Sequence, residues 1–174
     1  MLFRSRVIAE GPRLSPKVRV LERPEALRGD FVSTNKLFAY DLEHSDADIY
    51  LQTHATNPLM RAETFAAALA AFLEHEDECD SLFGVTRYLS RFYDGDGTPV
   101  NHDPEELIRT QDLPPLYEEN SCVYVFTKES FANRERRIGE KPFMFVTPEL
   151  ESIDIDDEFH FKFAEILAMY GQQA

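Results

Sequence analysis

Two aspartates one residue apart, Asp154 and Asp156, stand in the run Glu151-Ser152-Ile153-Asp154-Ile155-Asp156-Asp157-Glu158. An extended backbone sends successive side chains to opposite faces, so a strand over Ser152–Asp156 puts Ile153 and Ile155 toward a core and both carboxylates on the other side. Paired carboxylates repel unless a cation lies between them or water separates them. Two readings stand side by side. One is a solvated helix start, with Asp156 or Asp157 capping a helix whose Phe159, Phe163, Ile166, Leu167 and Tyr170 recur at helical spacing. The other is a magnesium site at a strand end, where open α/β sheets place their ligands.

Polar groups gather at further places. Gln52-Thr53-His54-Ala55-Thr56-Asn57-Pro58 closes an apolar run, and a structural turn needs only its Asn57 and Pro58. The surplus donors and acceptors must be satisfied by the fold or by a ligand. Arg109-Thr110-Gln111-Asp112-Leu113-Pro114, followed by Glu118-Glu119-Asn120-Ser121, is as dense just before the apolar run 122–127. Arg134, Arg136 and Arg137 form the dense basic cluster of the chain, either a solvated helix end or an anion contact.

Other chemistries are poorly served. Asp94-Gly95-Asp96-Gly97-Thr98 with Glu105 imitates a calcium loop, but Pro99 stands where that loop turns on glycine, so the segment reads as a hairpin turn. Neither G-x-G-x-x-G nor a P-loop occurs, and no Ser-His-Asp order stands out. Cys79 lies between acids that disfavour a thiolate. Five histidines without ligand spacing argue against zinc.

The elements that must position these groups follow from periodicity and turn residues. Strands are expected at Lys17–Leu21, Asp48–His54, Ser81–Thr86, Ser121–Thr127 and Phe143–Thr147, with helices from Ser33 or Thr34 to Leu42, Arg61 to Glu74, and near Glu129–Asn133. Arg6–Glu10 reads as the tail of a helix stopped by Gly11-Pro12, and Met1–Ser5 as a non-native scar. Alternation of strands and helices indicates one α/β domain with a mainly parallel sheet, interrupted by an excursion over 87–117. At 174 residues, 43% hydrophobic and 12% aromatic, the chain can bury a real core. A net charge of −14 disfavours nucleic acid and anionic membranes as partners. No apolar run is long enough to span a bilayer, no signal-peptide pattern is seen, and Cys79 and Cys122 suit reduced thiols, so a cytoplasmic protein is expected.

Six motifs in register then carry a resemblance: Glu22-Arg23-Pro24-Glu25 with Gly29-Asp30, Thr56-Asn57-Pro58-Leu59, Asp80–Thr86, Gln111-Asp112-Leu113-Pro114, Asn120, and Ile153-Asp154-Ile155-Asp156. From about Arg6 to Tyr170 the chain resembles the acylneuraminate (sialic acid) cytidylyltransferases, the CMP-sugar synthetases. The resemblance implies a three-layer, Rossmann-like nucleotide-sugar transferase sheet. It also implies a reaction in which a sugar-acid hydroxyl attacks the α-phosphorus of CTP and releases pyrophosphate, with Mg2+ screening the phosphates. By motif position, Asp154 and Asp156 match the family's catalytic magnesium ligands, and Arg23, Ser33 and Thr34 match cytidine-side contacts. His54, Thr56, Gln111 and Asn120 match positions lining the sugar pocket. The 87–117 excursion is similar to the family's dimerisation arm and implies a homodimer, with Arg91 and Arg109 able to meet the sugar carboxylate, Arg109 bidentately.

The departures are informative. His54 replaces a usual glutamine, Ala55 a proline, Ser121 a glycine and His160 an aspartate, while Thr110 stands where arginine is common. The first strand and the Gly-, Ser-, Lys- and Arg-rich triphosphate loop of the family are missing, so the first βαβ portion is read as absent. Without those donors the 174-residue chain is expected not to synthesise CMP-sugar. The alternative is a non-enzymatic sugar-binding or interaction module on the same fold.

Overall fold

The computed structural model describes residues 17–29 and 31–171. The scar expected at Met1–Ser5, the helix tail Arg6–Glu10 with its Gly11-Pro12 stop, and Asp30 lie outside the described residues. The chain forms two units, one up to Asp46 and one from Ala47 onward.

In the first unit a short 3-10 turn, Glu25–Leu27, precedes helix α1, Thr34–Glu43. Ser33 occupies the N-cap position of α1, but its hydroxyl makes no capping hydrogen bond. Leu42 is the buried residue of the helix. The strand expected at Lys17–Leu21 does not form, and Val18 and Val20 are exposed. Alternation favours a strand only where a neighbour supplies the ladder, and no pairing to this segment occurs among the described residues.

The second unit runs β1 (Ile49–Gln52), α2 (Ala62–Glu74), β2 (Ser81–Tyr88), β3 (Leu116–Thr127), α3 (Lys128–Arg134), β4 (Pro142–Val146) and α4 (Glu158–Gly171). The sheet order is β1-β3-β2-β4. Strands β1, β2 and β4 run in one direction, as a mainly parallel sheet requires, but β3 lies between β1 and β2 antiparallel to both. The sheet is therefore mixed. Residues Cys122 to Phe126 are all buried, so β3 is covered on both faces and reads as a continuous apolar run. Val123 and Val125 pack with Leu82 against Ala68 and Phe72 of α2. On the other face, the Phe126 ring lies 5.8 Å from Phe131 of α3 and 5.9 Å from Tyr50. Helix α3 is started by a reciprocal cap, the Thr127 hydroxyl accepting from the Ser130 N–H and the Ser130 hydroxyl from the Thr127 N–H. Helix, sheet and helix make three layers.

One irregularity in this sheet positions the site. The β2–β3 register shifts between Phe83 and Val85, because Phe83 opposes Tyr124 whereas Val85 opposes Glu119. The extra residues of β3 bulge opposite Gly84, and Ser121 takes a left-handed φ of 59°. That bulge turns Asn120 inward beneath Gly84, where an added Cβ would lie 2.8 Å from the Asn120 Oδ1.

Two expectations are corrected in the acidic run. Residues 152–156 form no strand; they follow a 3-10 turn, Glu149–Glu151, as irregular backbone. Their polar groups turn to the 54–57 segment instead: the Ile155 N–H donates to the Thr56 carbonyl at 2.9 Å, and the Asn57 Nδ2 to the Ile153 carbonyl at 3.4 Å. In α4 the spacing is helical, but the apolar residues are not covered among the described residues. Phe159 is 71% and Tyr170 73% exposed, and the helix turns only Ala164 fully inward. The segment between β2 and β3 contains the expected hairpin turn at Asp94–Thr98, with Tyr93 bridged to Pro99. Its base is tied by Asn101, whose Nδ2 donates to the carbonyls of Ser90 (2.8 Å) and Pro114 (3.0 Å).

Candidate active site

A cavity of about 360 Å³ opens between the β3 bulge and the acidic run. Glu118, Glu119, Asn120 and Ser121 line it from β3; Ser152, Asp154 and Asp156 line it from the acidic run. Tyr88 and His160 complete its rim. The structure thus brings three of the sequence-derived candidates, Asp154, Asp156 and Asn120, to one place.

Asn120 is the hub rather than a free ligand. Its Nδ2 donates to the hydroxyls of Thr147 (2.6 Å), Thr86 (3.1 Å) and, more weakly, Ser152 (3.4 Å), and its Oδ1 accepts from the Cys122 N–H at 3.2 Å. A buried amide satisfied from four directions stitches β2, β3, the end of β4 and the acidic run together. It contributes shape to the cavity through its place in the fold.

Asp154 is half-buried, and its Oδ1 is shielded from solvent with no hydrogen-bond partner. An ionised carboxylate oxygen in that state carries a desolvation cost unless a cation or water meets it. Asp156, on the same cavity, is exposed. Asp157 does the capping: its carboxylate accepts from the His160 N–H at 2.9 Å, and that bond holds its pKa below the ordinary value. Asp157 starts the helix, while Asp154 and Asp156 face the cavity.

Behind the cavity lies a cluster built on Arg137, whose side chain is only 17% exposed. Its guanidinium carbon lies 3.5 Å above the Tyr124 ring centroid. One terminal nitrogen donates to the Gln52 Oε1 (2.8 Å) and reaches the His54 Nε2 (3.0 Å); the other donates to the Tyr124 hydroxyl (2.8 Å) and pairs with Glu119 (3.5 Å). The Tyr124 hydroxyl donates to Glu119. Burial, reinforced by that acceptor, pushes the phenol up to about 12. Tyr88 donates to Glu118 at 2.7 Å and is likewise pushed up to about 12, chiefly by that bond. Burial, with Arg137 beside it, pulls His54 below the ordinary histidine range, against the opposing field of Asp154. Cys122, buried beneath the acidic run with its Sγ 3.8 Å from the Glu151 carbonyl, is pushed up to about 12 by burial and by Asp154 and Glu151.

The other candidates lie elsewhere. Thr56 stands beside the acidic run through its carbonyl. Arg109, expected to grip a ligand carboxylate, instead holds Asp112 with two nitrogens at 2.7 and 3.2 Å. Arg91 donates to the Ile108 carbonyl. Gln111 is exposed on the 3-10 turn Thr110–Asp112. Neither arginine nor Gln111 lines this cavity, because each is engaged by, or exposed on, the 87–117 segment. Arg23, Ser33 and Thr34 belong to the first unit. There Ser33 and Thr34 are exposed, and Arg23 stands near Asp41, whose pKa burial raises and Arg23 partly restores. A second cavity of about 430 Å³ lies between residues 86–90 and 146–149 and contains none of the candidates.

Sequence reasoning missed Tyr124, noted Glu119 only as part of the polar run Glu118-Glu119-Asn120-Ser121, and left Arg137 undecided. The signal for Arg137 was its place in the Arg134-Arg136-Arg137 cluster; periodicity alone could not say which of the three turned inward.

The arrangement admits a divalent cation in one specific way. No cluster of three or more His, Cys, Asp or Glu side chains suited to a metal occurs among the described residues. Two carboxylates with open coordination, one carrying a buried unpartnered oxygen, suit magnesium, which keeps waters and takes its remaining ligands from phosphates. The four carboxylates on the cavity wall would repel a phosphate ligand unless a cation intervened.

Comparison with known proteins adds two findings. A family model described as cytidylyltransferase matches residues 17–168. The chain is also 22% identical over 125 residues to a post-translational flagellin modification protein B from Campylobacter coli, an alignment covering 69% of this chain and 52% of that protein. The chain spans about half the length of this curated relative. No helix among the described residues is long and apolar enough to cross a membrane.

Proposed function

The chain belongs to the cytidylyltransferase family, and from that premise we propose that its site serves transfer of CMP from CTP to a 2-keto sugar acid, with release of pyrophosphate. The observation that carries this reading is Asp154, a buried unpartnered carboxylate oxygen on a cavity shared with Asp156. In this proposal Asp154 and Asp156 hold Mg2+, which supplies electrostatic screening of the phosphates. The chain's own residues do the rest by positioning. Asn120 fixes the bulge, and the 54–57 segment holds the acidic run at Thr56. Tyr88 and Tyr124 keep Glu118 and Glu119 hydrogen-bonded at the wall, and their raised phenols remain protonated at neutral pH. A direct in-line transfer needs no covalent enzyme intermediate, so positioning and electrostatics suffice.

In our reading the acceptor is a nine-carbon or related 2-keto sugar acid of the N-acetylneuraminate type; the relative's name says only that it acts in flagellin modification. In this reading Arg91 and Arg109 exchange their present partners for the sugar carboxylate when a second copy brings its 87–117 arm to the site. Exposed Tyr93, Val100 and Leu107, the last 78% exposed, give that arm an apolar surface for a homodimer. Arg23, Ser33 and Thr34 are proposed as cytidine contacts, and a cytoplasmic location follows from CTP as substrate.

Titration calorimetry tests the proposal on this chain, with carboxylated and neutral sugars added in the presence and absence of CTP and Mg2+. Carboxylated sugars are expected to bind, more tightly with CTP and Mg2+, and neutral counterparts to fail. Pyrophosphate release is expected to be negligible, since these 174 residues include no glycine-rich phosphate loop. Equal binding of neutral sugars would refute the sugar-acid assignment. Sugar binding indifferent to both CTP and Mg2+ would favour a binding module instead.

A further inference from the structure

We infer that Arg137 is a positioning residue that fixes His54 as the neutral tautomer with its proton on Nδ1, so that Nδ1–H is the one donor His54 offers to a bound ligand. The inference deepens the sugar-acid reading and rests on it for the identity of that ligand, but its geometry stands apart from it.

A guanidinium has donors only. The imidazole nitrogen 3.0 Å from the Arg137 Nη1 must therefore present a lone pair, and that nitrogen is Nε2. With Nε2 accepting, a neutral ring carries its proton on Nδ1, the less favoured tautomer of a histidine side chain in water. The same donor-only logic orders the neighbours. Gln52 must turn its Oε1, rather than its NH2, to Arg137 at 2.8 Å. The Tyr124 hydroxyl must accept from Arg137 and so spends its single proton on Glu119. One cation thus sets the donor or acceptor sense of three side chains drawn from β1, the turn after it, and β3.

Arg137 itself is held by the stack on Tyr124 and by Glu119, so its orientation does not depend on His54. The charged groups around His54 are Arg137 and Asp154, with Glu119 behind the guanidinium. The depression of the His54 pKa agrees with a ring kept uncharged beside a cation. A neutral Nδ1–H suits an acceptor oxygen on the ligand, whether a carboxylate, keto or amide oxygen, without adding a second full positive charge.

Imidazole 15N chemical shifts, read from long-range proton–nitrogen correlation spectra of the full chain, test this without any substrate. The His54 signals are assigned by their loss in His54→Gln. In the wild-type chain, Nδ1 is expected at the protonated and Nε2 at the unprotonated position. In Arg137→Met, which keeps length but removes every donor, the ring is expected to revert to predominantly Nε2–H. A wild-type His54 protonated on Nε2, or a folded Arg137→Met with the wild-type pattern, would overturn the inference. If Arg137→Met does not fold, the wild-type spectrum alone decides. Failure of sugar binding with the expected tautomer present would count against the substrate reading and leave Arg137 in its role.

Discussion

Asp154 keeps a carboxylate oxygen out of solvent without a partner, and that atom makes a measurable demand. Adding Mg2+ should raise the melting temperature of the wild-type chain, by about 1.4 kcal/mol of stability at tenfold its dissociation constant. Asp154→Asn should abolish that increment and slightly stabilise the metal-free chain, because an amide costs less to shield than an unpaired carboxylate. Thermal scans with and without Mg2+ check both effects. Ser121 makes a second demand at this scale. Its φ of 59° is cheap for glycine and costs another residue about 1–2 kcal/mol. Ser121 already bears that cost; Ser121→Val, whose β-branched side chain tolerates the region least, should lower stability further by up to about 1 kcal/mol, whereas Ser121→Gly should leave it unchanged or raise it by up to about 1 kcal/mol, read by urea denaturation. The usual family residue at this position, glycine, thus has a backbone reason.

At the scale of elements, the bulge in β3 carries the site. Gly84→Ala would place a Cβ 2.8 Å from the Asn120 Oδ1 and 3.2 Å from the Val123 Cγ1, both in the interior. We expect a loss of about 1–3 kcal/mol, and a weakened Mg2+ response as Asn120 releases Thr147 and Ser152. Chemical denaturation and the same thermal shift measure the two. Most elements of the second unit were legible because their periods are strong: Ser81–Tyr88 and the run to Thr127 are apolar enough to be strands in any context. The bulge was not, since nothing in Glu119-Asn120-Ser121-Cys122 announces a left-handed residue when glycine is absent. Asp154 and Asp156 were found as a pair, but for a partly wrong reason. They share a cavity as part of an irregular loop held by Thr56, rather than as one face of a strand. The pairing of Arg109 with Asp112, three residues away, was not read from the sequence, although an i, i+3 spacing of opposite charges allows it.

Across the whole molecule, acid stability should follow its depressed carboxylates. Burial opposes ionisation of Asp80, but N–H donors from Glu140 and Lys141, the Ser81 hydroxyl and its own N–H prevail and hold it below 3.8. Asp94, accepting from the Thr98 and Asp96 N–H groups, and Asp157 are depressed in the same direction. A carboxyl lowered in the folded state contributes stability that is complete above its unfolded value and is lost as pH falls through the folded one. Urea midpoints should thus be level near neutrality and fall below about pH 4, and Asp80→Asn should flatten part of that fall.

The two thiols supply a timepiece. Both Cys79 and Cys122 are free and buried, and the Cys122 thiol, pushed up to about 12, is neither exposed nor ionised in the closed chain. A thiol reagent can therefore reach Cys122 only when the acidic run lifts away from β3, and Cys79 only when the turn before β2 loosens. In Cys79→Ala, at reagent concentrations where reclosing outpaces labelling, the labelling rate reports the open population of the acidic run. Mg2+ should slow it by the factor by which the cation favours the closed form, giving the cavity a stopwatch that needs neither nucleotide nor sugar.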